Sequence, residues 1–233
     1  MNVVITGASK GLGLAFAEVF AAGSCSLTLC ARGEKDLEQA AAALRTAYPD
    51  VSVRTRAVDL SRTENAKAFG HWVLEDGQPV DILINNAGRF VMGSVFEEPE
   101  GGLEEMIETN LYSAYHVTRT LLPAMMAQRK GHIFNICSIA SLQAYKYGGS
   151  YSISKFALLG FSKNLREDMK PHGIKVTAVC PGAVYTASWE GSGVDPERIM
   201  TAADVARMVY SAATLSPQAT VEDIILRPQL GDL

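Results

Sequence analysis

Three side chains in this sequence have the types and spacing to move a proton at an oxygen atom: Ser138, Tyr151 and Lys155. Tyr151 and Lys155 stand four residues apart, so on a helix both rise from one face about one turn apart. An ammonium beside a phenol favours the phenolate and lowers the phenol's pKa. A hydroxyl from a separate loop, Ser138, can hold a substrate oxygen against that phenol. Together they would deliver a proton to a carbonyl oxygen or take one from an alcohol. A Tyr-x-x-x-Lys pair by itself is common on helices, so its meaning depends on the elements that position it.

The chain begins with a short apolar strand over 2–6, and Gly7-Ala8-Ser9-Lys10-Gly11-Leu12-Gly13 follows at once. An apolar helical pattern through Phe16, Val19 and Phe20 comes next and stops at Gly23. Strand, glycine turn and helix are what a dinucleotide-binding turn needs: glycines let the backbone approach a pyrophosphate, and the helix start offers free N–H groups. The spacing is G-x-x-x-G-x-G. A second strand over 27–30 ends at Ala31-Arg32-Gly33, where such folds meet the adenosine ribose. No carboxylate stands there to accept from a free 2′-hydroxyl. Arg32 and Lys10 instead suit a 2′-phosphate and so NADP(H), unless both cations are simply solvated.

An alanine-rich helix over 34–48 leads to a third strand over 51–58, closed by Asp59-Leu60. Ser61 and Glu64 have capping-box spacing for a helix carrying Phe69 and Val73. A fourth strand over 82–84 ends in Asn85-Asn86-Ala87-Gly88. After Pro99–Gly102 a long helix is expected over 103–127, bent near its end by Pro123. Asn110 lies inside it, either for its amide or merely tolerated. A fifth strand over 133–137 delivers Ser138 to the carboxyl edge of the sheet, and a helix over 151–169 carries Tyr151 and Lys155. A sixth strand over 175–180 is broken by Pro181-Gly182. The 183–200 segment has little periodicity and reads as a short mobile lid containing Trp189, Gly191 and Gly193. Thr201, with Asp204, caps a last helix before a strand over 221–226 and a tail over 227–233. This alternation predicts an α/β fold: a single Rossmann-type, doubly wound parallel sheet of about seven strands with helices on both faces.

The 233 residues, 48% hydrophobic and 20% charged, suit one domain spanning 1–233. A net charge of −4 gives no sign of nucleic acid or anionic membrane as partner. No apolar run approaches the roughly 18 residues that span a bilayer. With a strand expected within two residues of Met1 and no basic leader before it, no signal peptide is expected. Cys25, Cys30, Cys137 and Cys180 have no metal-ligand spacing and read as reduced core residues of a cytoplasmic protein without a metal.

Thr6-Gly7-x-x-x-Gly11-x-Gly13, Asn85-Asn86-Ala87-Gly88, Asn110, Ser138, Tyr151-x-x-x-Lys155 and Pro181-Gly182, in that order, resemble the short-chain dehydrogenase/reductase family over essentially the whole chain. The resemblance implies that Tyr151 is the general acid for carbonyl reduction and the base for the reverse reaction. It implies that Lys155 lowers the Tyr151 pKa and holds the nicotinamide ribose, that Ser138 positions the substrate oxygen, and that Asn110 holds a relay water. Gly7, Ser9, Lys10, Gly11, Leu12, Gly13 and Arg32 become cofactor contacts. Asp59 and Leu60 would meet adenine, Asn86-Ala87-Gly88 would line the cleft, and Pro181-Gly182 with Val184 and Thr186 would bracket the nicotinamide amide. Homodimers or homotetramers built on the long helices are implied as well.

The last quarter, with Pro181–Thr186, Trp189 and the ending Ile224-Ile225-Leu226-Arg227-Pro228 through Gly231-Asp232, is similar to bacterial sepiapterin reductases. Asp232 would then anchor a pterin, or else be a solvated carboxylate. Trp189 would stack on a flat ring, or else pack the lid. The leading expectation is an NADPH-dependent reductase of a pterin side-chain ketone or small diketone. The alternatives are a 3-oxoacyl thioester or broad carbonyl reductase and, outside catalysis, an NADP(H)-binding sensor.

Overall fold

Short apolar runs become strands and the amphipathic stretches between them become helices that cover the sheet. The computed structural model describes residues 1–186, 189 and 193–232. Strands β1 (Asn2–Thr6), β2 (Ser26–Ala31) and β3 (Val53–Ala57) alternate with helices α1 (Gly11–Ala22), α2 (Glu34–Ala47) and α3 (Thr63–Leu74). The chain continues through β4 (Ile82–Asn85), α4 (Gly102–Ile107), a π-helical turn (Glu108–Tyr112), α5 (Ser113–Gln128), β5 (Gly131–Ile136), α6 (Gly149–Met169) and β6 (Ile174–Pro181). A small parallel pair, β7 (Val184–Tyr185) with β8 (Met200–Thr201), precedes α7 (Ala202–Ala213) and β9 (Asp223–Leu226).

The seven-stranded sheet has the order β3-β2-β1-β4-β5-β6-β9, and its pairings are parallel. Successive residues of a strand point to opposite faces, so β1 feeds two cores. Val3 and Ile5 pack with Phe16, Leu37 and Val205 of α1, α2 and α7. Val4 packs with Phe69, Leu121 and Leu165 of α3, α5 and α6. The order reverses between β1 and β4, which opens a crevice beyond their carboxyl ends, where open α/β sheets bind ligands.

A chain of buried polar side chains crosses the sheet centre. Asn85 Nδ2 donates to Thr118 Oγ1 and Asn135 Oδ1, both at 2.8 Å, and Asn135 Nδ2 donates to Ser162 Oγ at 2.9 Å. Arg166, 5% exposed, ties α6 to the sheet edge by donating to the Val176 carbonyl at 2.9 Å and pairing with Asp223 at 3.0 Å. All four cysteines are buried and free.

Several local expectations are corrected. Ser61 does not form a capping box with Glu64. Its N–H and hydroxyl both bond Asp59 Oδ1, at 3.1 and 2.9 Å, and α3 starts after Arg62 with no side-chain cap. The long helix expected over 103–127 is broken in type by the π turn at Glu108–Tyr112. Pro123 does not interrupt α5, which runs on to Gln128. Pro123 lies on the exposed face, where water can meet the Arg119 carbonyl that loses its N–H partner. Thr201 does cap α7: its Oγ accepts from the Asp204 N–H at 3.2 Å, and Asp204 accepts in return. In the segment read as a lid, the β7–β8 pair gives 183–200 a fixed base, with Val184 and Ile199 buried. Residues 187, 188 and 190–192, Gly191 among them, lie outside the described residues.

Candidate active site

The glycine turn is shaped by what surrounds it. Gly7 and Gly11 adopt positive φ of 67° and 57°. A Cβ at Gly13 would run into the Gly7 carbonyl and meet Asn86 Nδ2 at 2.6 Å, so only glycine lets α1 start this close to the turn. Asn86 braces the turn from below: its Nδ2 donates to the carbonyls of Thr6 at 2.9 Å and Gly7 at 3.0 Å. Thr6 Oγ1 in turn accepts from the N–H groups of Asn86 and Ala87. The Asn86 amide nitrogen is thus engaged in holding the loop.

The turn opens onto a cleft of about 840 Å³. Of the expected cofactor contacts, Gly7, Ser9, Lys10, Gly11, Leu12, Arg32, Asp59, Leu60, Asn86, Ala87, Gly88 and Thr186 line it. Gly13 is buried behind the turn. Pro181, Gly182 and Val184 sit at the end of β6 and the start of β7, one turn of chain from Thr186. Helix α1 begins after Lys10 with no side-chain cap and no acidic residue in its first turn. Its first N–H groups and the positive end of its dipole therefore face the cleft unneutralised, as a pyrophosphate requires. Neither Lys10 nor Arg32 is paired with a carboxylate among the described residues. The residues present fit a dinucleotide with added negative charge.

Sequence reasoning missed one charge here. Asp36, in the first turn of α2, also lines the cleft, with its Oδ2 3.8 Å from where a Gly33 Cβ would stand. The cleft beside the end of β2 therefore holds a carboxylate as well as cations. Thr109 in the π turn and Ser113 just after it also reach the cleft. Ser113, one turn beyond the candidate Asn110, was legible from helical spacing.

At the other end, β5 delivers Ser138 and α6 delivers Tyr151 and Lys155. The Ser138 hydroxyl accepts the Ala140 N–H at 3.1 Å, which fixes its loop, and stands near enough to the Tyr151 phenol to favour its ionised form. Lys155 is 6% exposed; its Nζ donates to the Ile136 carbonyl at 2.8 Å and lies 5.8 Å from the Tyr151 ring centre. The net shift of the phenol's pKa is upward, opposite to the lowering expected from an adjacent ammonium. Burial pushes Tyr151 up to about 12, the Ser138 hydroxyl offsets only part of that, and the ammonium is bonded to the strand end. Lys155 itself is lowered by burial, against which the neighbouring Cys137 and Cys180 thiols act.

Asn110 is fully buried in the π turn. Its Oδ1 accepts the Arg89 N–H at 2.7 Å, and its Nδ2 donates to Ser154 Oγ at 2.9 Å and the Arg89 carbonyl at 3.0 Å. Gly88 fits between Asn110 and Lys155: a Cβ there would lie 3.1 Å from Asn110 Oδ1 and 3.5 Å from Lys155 Nζ. The structure thus brings Asn110, Ser138, Tyr151 and Lys155 to one end of the cleft.

The two low-lying expectations fare differently. Asp232 Oδ2 pairs with Arg227 at 2.5 Å, while its Oδ1 is buried with no hydrogen-bond partner, 2.9 Å from where a Gly182 Cβ would stand. Trp189 is half-buried, and its backbone N–H donates to the Thr186 carbonyl at 2.9 Å. No His, Cys, Asp and Glu cluster suited to a metal is present among the described residues, and none of their helices is long and apolar enough to cross a membrane.

Comparison with known proteins agrees with this geometry. A curated sepiapterin reductase from Chlorobaculum tepidum is 32% identical, over 99% of this chain and 97% of its own length. A monensin polyketide synthase putative ketoacyl reductase from Streptomyces virginiae is 35% identical, over 78% of this chain and 70% of its own. The crystal structure of an alcohol dehydrogenase from the archaeon Thermococcus sibiricus, complexed with 5-hydroxy-NADP, superposes with a TM-score of 0.89 at 28% identity, covering 98% of this chain and 96% of that one. The family described as short chain dehydrogenase matches residues 1–196, and the chain belongs to it: an oxidoreductase of Rossmann-type fold that works with a nicotinamide cofactor.

Proposed function

We propose that this enzyme uses NADPH to reduce a ketone to an alcohol, on a pterin side-chain ketone or a small diketone, in the manner of a sepiapterin reductase. The observation that carries the reading is the meeting of Ser138, Tyr151 and Lys155, with Lys155 Nζ 5.8 Å from the Tyr151 ring centre, beside a cleft lined by the glycine turn, where burial raises the phenol's pKa. Lys10 and Arg32 at the cleft's other end favour the 2′-phosphate form of the cofactor. The bound cofactor supplies the hydride. Ser138 orients the substrate oxygen, and Tyr151 gives it the proton as charge develops there. Lys155, close to both Tyr151 and Gly88, holds the cofactor's ribose and stabilises the phenolate left behind. The Asn110 amide is already bonded to Arg89 and Ser154, so a proton relay past Lys155 would use the backbone of the π turn rather than that amide.

The pterin assignment is supported by the sepiapterin reductase relative and by the buried Asp232 Oδ1, an acceptor that has no donor partner. The 183–200 segment would close over the substrate. Exposed apolar side chains on α4 and α6, Leu103, Ile153 and Phe156, support a homodimer or homotetramer formed across those helices. Four free buried cysteines suit a reducing, cytoplasmic setting. A second reading, a 3-oxoacyl thioester reductase, draws on the ketoacyl reductase relative. A non-catalytic NADP(H) sensor is disfavoured by the intact Ser138, Tyr151 and Lys155 set.

NADPH oxidation with sepiapterin, a simple vicinal diketone and a 3-oxoacyl thioester in parallel tests the assignment. Preference for sepiapterin supports it, and preference for the thioester moves the protein to the second reading. NADPH binding without turnover of any ketone would make it a sensor.

A further inference from the structure

Helix α6 begins at Gly149 with a glycine before it and no side chain of its own to cap it. The cap comes from 52 residues upstream. Glu98 accepts the Ser150 N–H at Oε1, 2.8 Å away, and the Ser150 hydroxyl at Oε2. Ser150 is buried, so these bonds replace water at the helix start, and a carboxylate there is favoured by the dipole. The fit around Glu98 is tight on two sides. A Cβ at Gly149, which holds a φ of 39°, would collide with Glu98 Oε1, and one at Gly93 would meet Glu98 Cγ at 2.7 Å.

The loop that carries Glu98 is tied to the same place a second time, through the Gly93 N–H and the Tyr147 carbonyl at 3.1 Å. It also carries Phe90, whose ring meets the Tyr151 ring edge-on, centres 4.8 Å apart at 86°, while Phe90 keeps 48% of its surface exposed. Ser150 is the residue before Tyr151. One carboxylate thus fastens the first turn of the Tyr151 helix to the loop whose aromatic side chain stands against the phenol.

We propose that Glu98 is a positioning residue for the reaction: it latches the Phe90 loop to the start of α6, so that the Tyr151 phenol and the wall beside it hold one geometry. The role rests on the carbonyl-reductase reading above. It requires no charge transfer at Glu98, only acceptance of two hydrogen bonds. Glutamine can do nearly the same, taking the Ser150 N–H at its oxygen and donating to the Ser150 hydroxyl.

The test compares Glu98→Ala and Glu98→Gln with the unaltered protein in three measurements: steady-state ketone reduction, NADPH affinity by fluorescence titration, and amide hydrogen exchange of the 149–153 segment. Glu98→Ala should lower kcat/KM for the ketone about tenfold, because small displacements of a reacting group are costly, and leave NADPH affinity unchanged. Exchange at the helix start should rise about fivefold, the effect of losing one helix cap, with other helices unaffected. Glu98→Gln should recover most of both. Loss of NADPH affinity in step with activity would reduce Glu98 to a general stabilising role and overturn the proposal. So would unchanged exchange and kinetics in Glu98→Ala. If the unaltered protein reduces no ketone while exchange still responds, the reductase reading falls and the catalytic role of the latch with it. If the protein reduces ketones and exchange does not respond, only the latch falls.

Discussion

The Lys155 ammonium is bonded to the Ile136 carbonyl at 2.8 Å, at the end of the strand that presents Ser138. That bond ties the charge to the sheet, with Nζ 5.8 Å from the Tyr151 ring centre, and burial is the dominant influence on the phenol. The resting site is therefore set as an acid. A group with a pKa near 12 is protonated throughout the neutral range and can donate without first collecting a proton.

Tyr151→Phe keeps the ring packed against Phe90 but removes the donor. Ketone reduction should fall by roughly 10²–10⁴-fold, the usual weight of a general acid, with NADPH affinity little changed. In the unaltered protein, reduction should not fall as pH rises from 7 to about 9, because the acid form persists below the phenol's pKa. Wild-type turnover in the variant would remove Tyr151 from the chemistry.

At the adenosine end, Arg32→Ala should weaken NADPH by about 1.5–3 kcal/mol and NADH much less, as expected for a lost charge-assisted bond to the 2′-phosphate. Asp36→Asn should act the other way and tighten NADPH, since a like charge beside the phosphate is removed. Fluorescence titration with both cofactors separates these outcomes; equal losses for NADPH and NADH in Arg32→Ala would defeat the 2′-phosphate assignment.

His132 is 4% exposed, stacked on Phe134 at 3.9 Å, with Nε2 2.7 Å from Thr177 Oγ1. Burial first, then Lys175, lowers its pKa from 6.5 to about 3. The folded state therefore resists a proton that the unfolded chain accepts below pH 6.5. The stability from neutral His132 is complete above that pH and is lost as pH falls toward 3. Urea unfolding should show about 2–3 kcal/mol lost through this group between pH 6.5 and 4.5. His132→Phe, which keeps the stacking, should flatten that part of the slope; an unchanged slope assigns the proton elsewhere.

Asp232→Asn should raise KM for a pterin and leave KM for a simple diketone alone, because only the pterin offers ring N–H groups to the partnerless Oδ1. A parallel rise for both substrates would assign Asp232 to holding the tail through Arg227 instead.

The strands, the glycine turn and the order of the site residues were legible because they depend on local signals: apolar runs, breaker residues and spacing. What was hidden depends on distant partners. Ser61 could have capped α3, but Asp59 two residues earlier captured it. The π turn around Asn110 coincides with bonds to Arg89 and Ser154, neither of which is near it in sequence. Asp36 reads as an ordinary first-turn acid until the β2 end is folded beside it. Tyr151 and Lys155 were correctly placed on one helix, yet their spacing says nothing about burial, which reversed the expected pKa shift. Glu98 gave no signal at all, since its partner lies 52 residues away.

The central position of β1 also bears on how the chain is made. Thr6, at the end of this first strand, waits for Asn86 and Ala87, 80 and 81 residues further on, before the far side of the glycine turn is closed. Parallel pairing of this kind must close a long loop before any contact rewards it, which slows folding. While the ribosome adds β2 through β4, one edge of β1 stands open as a template for another nascent chain. The strand that supports the cofactor turn is thus also a point where newly synthesised copies are exposed to mispairing until β4 arrives.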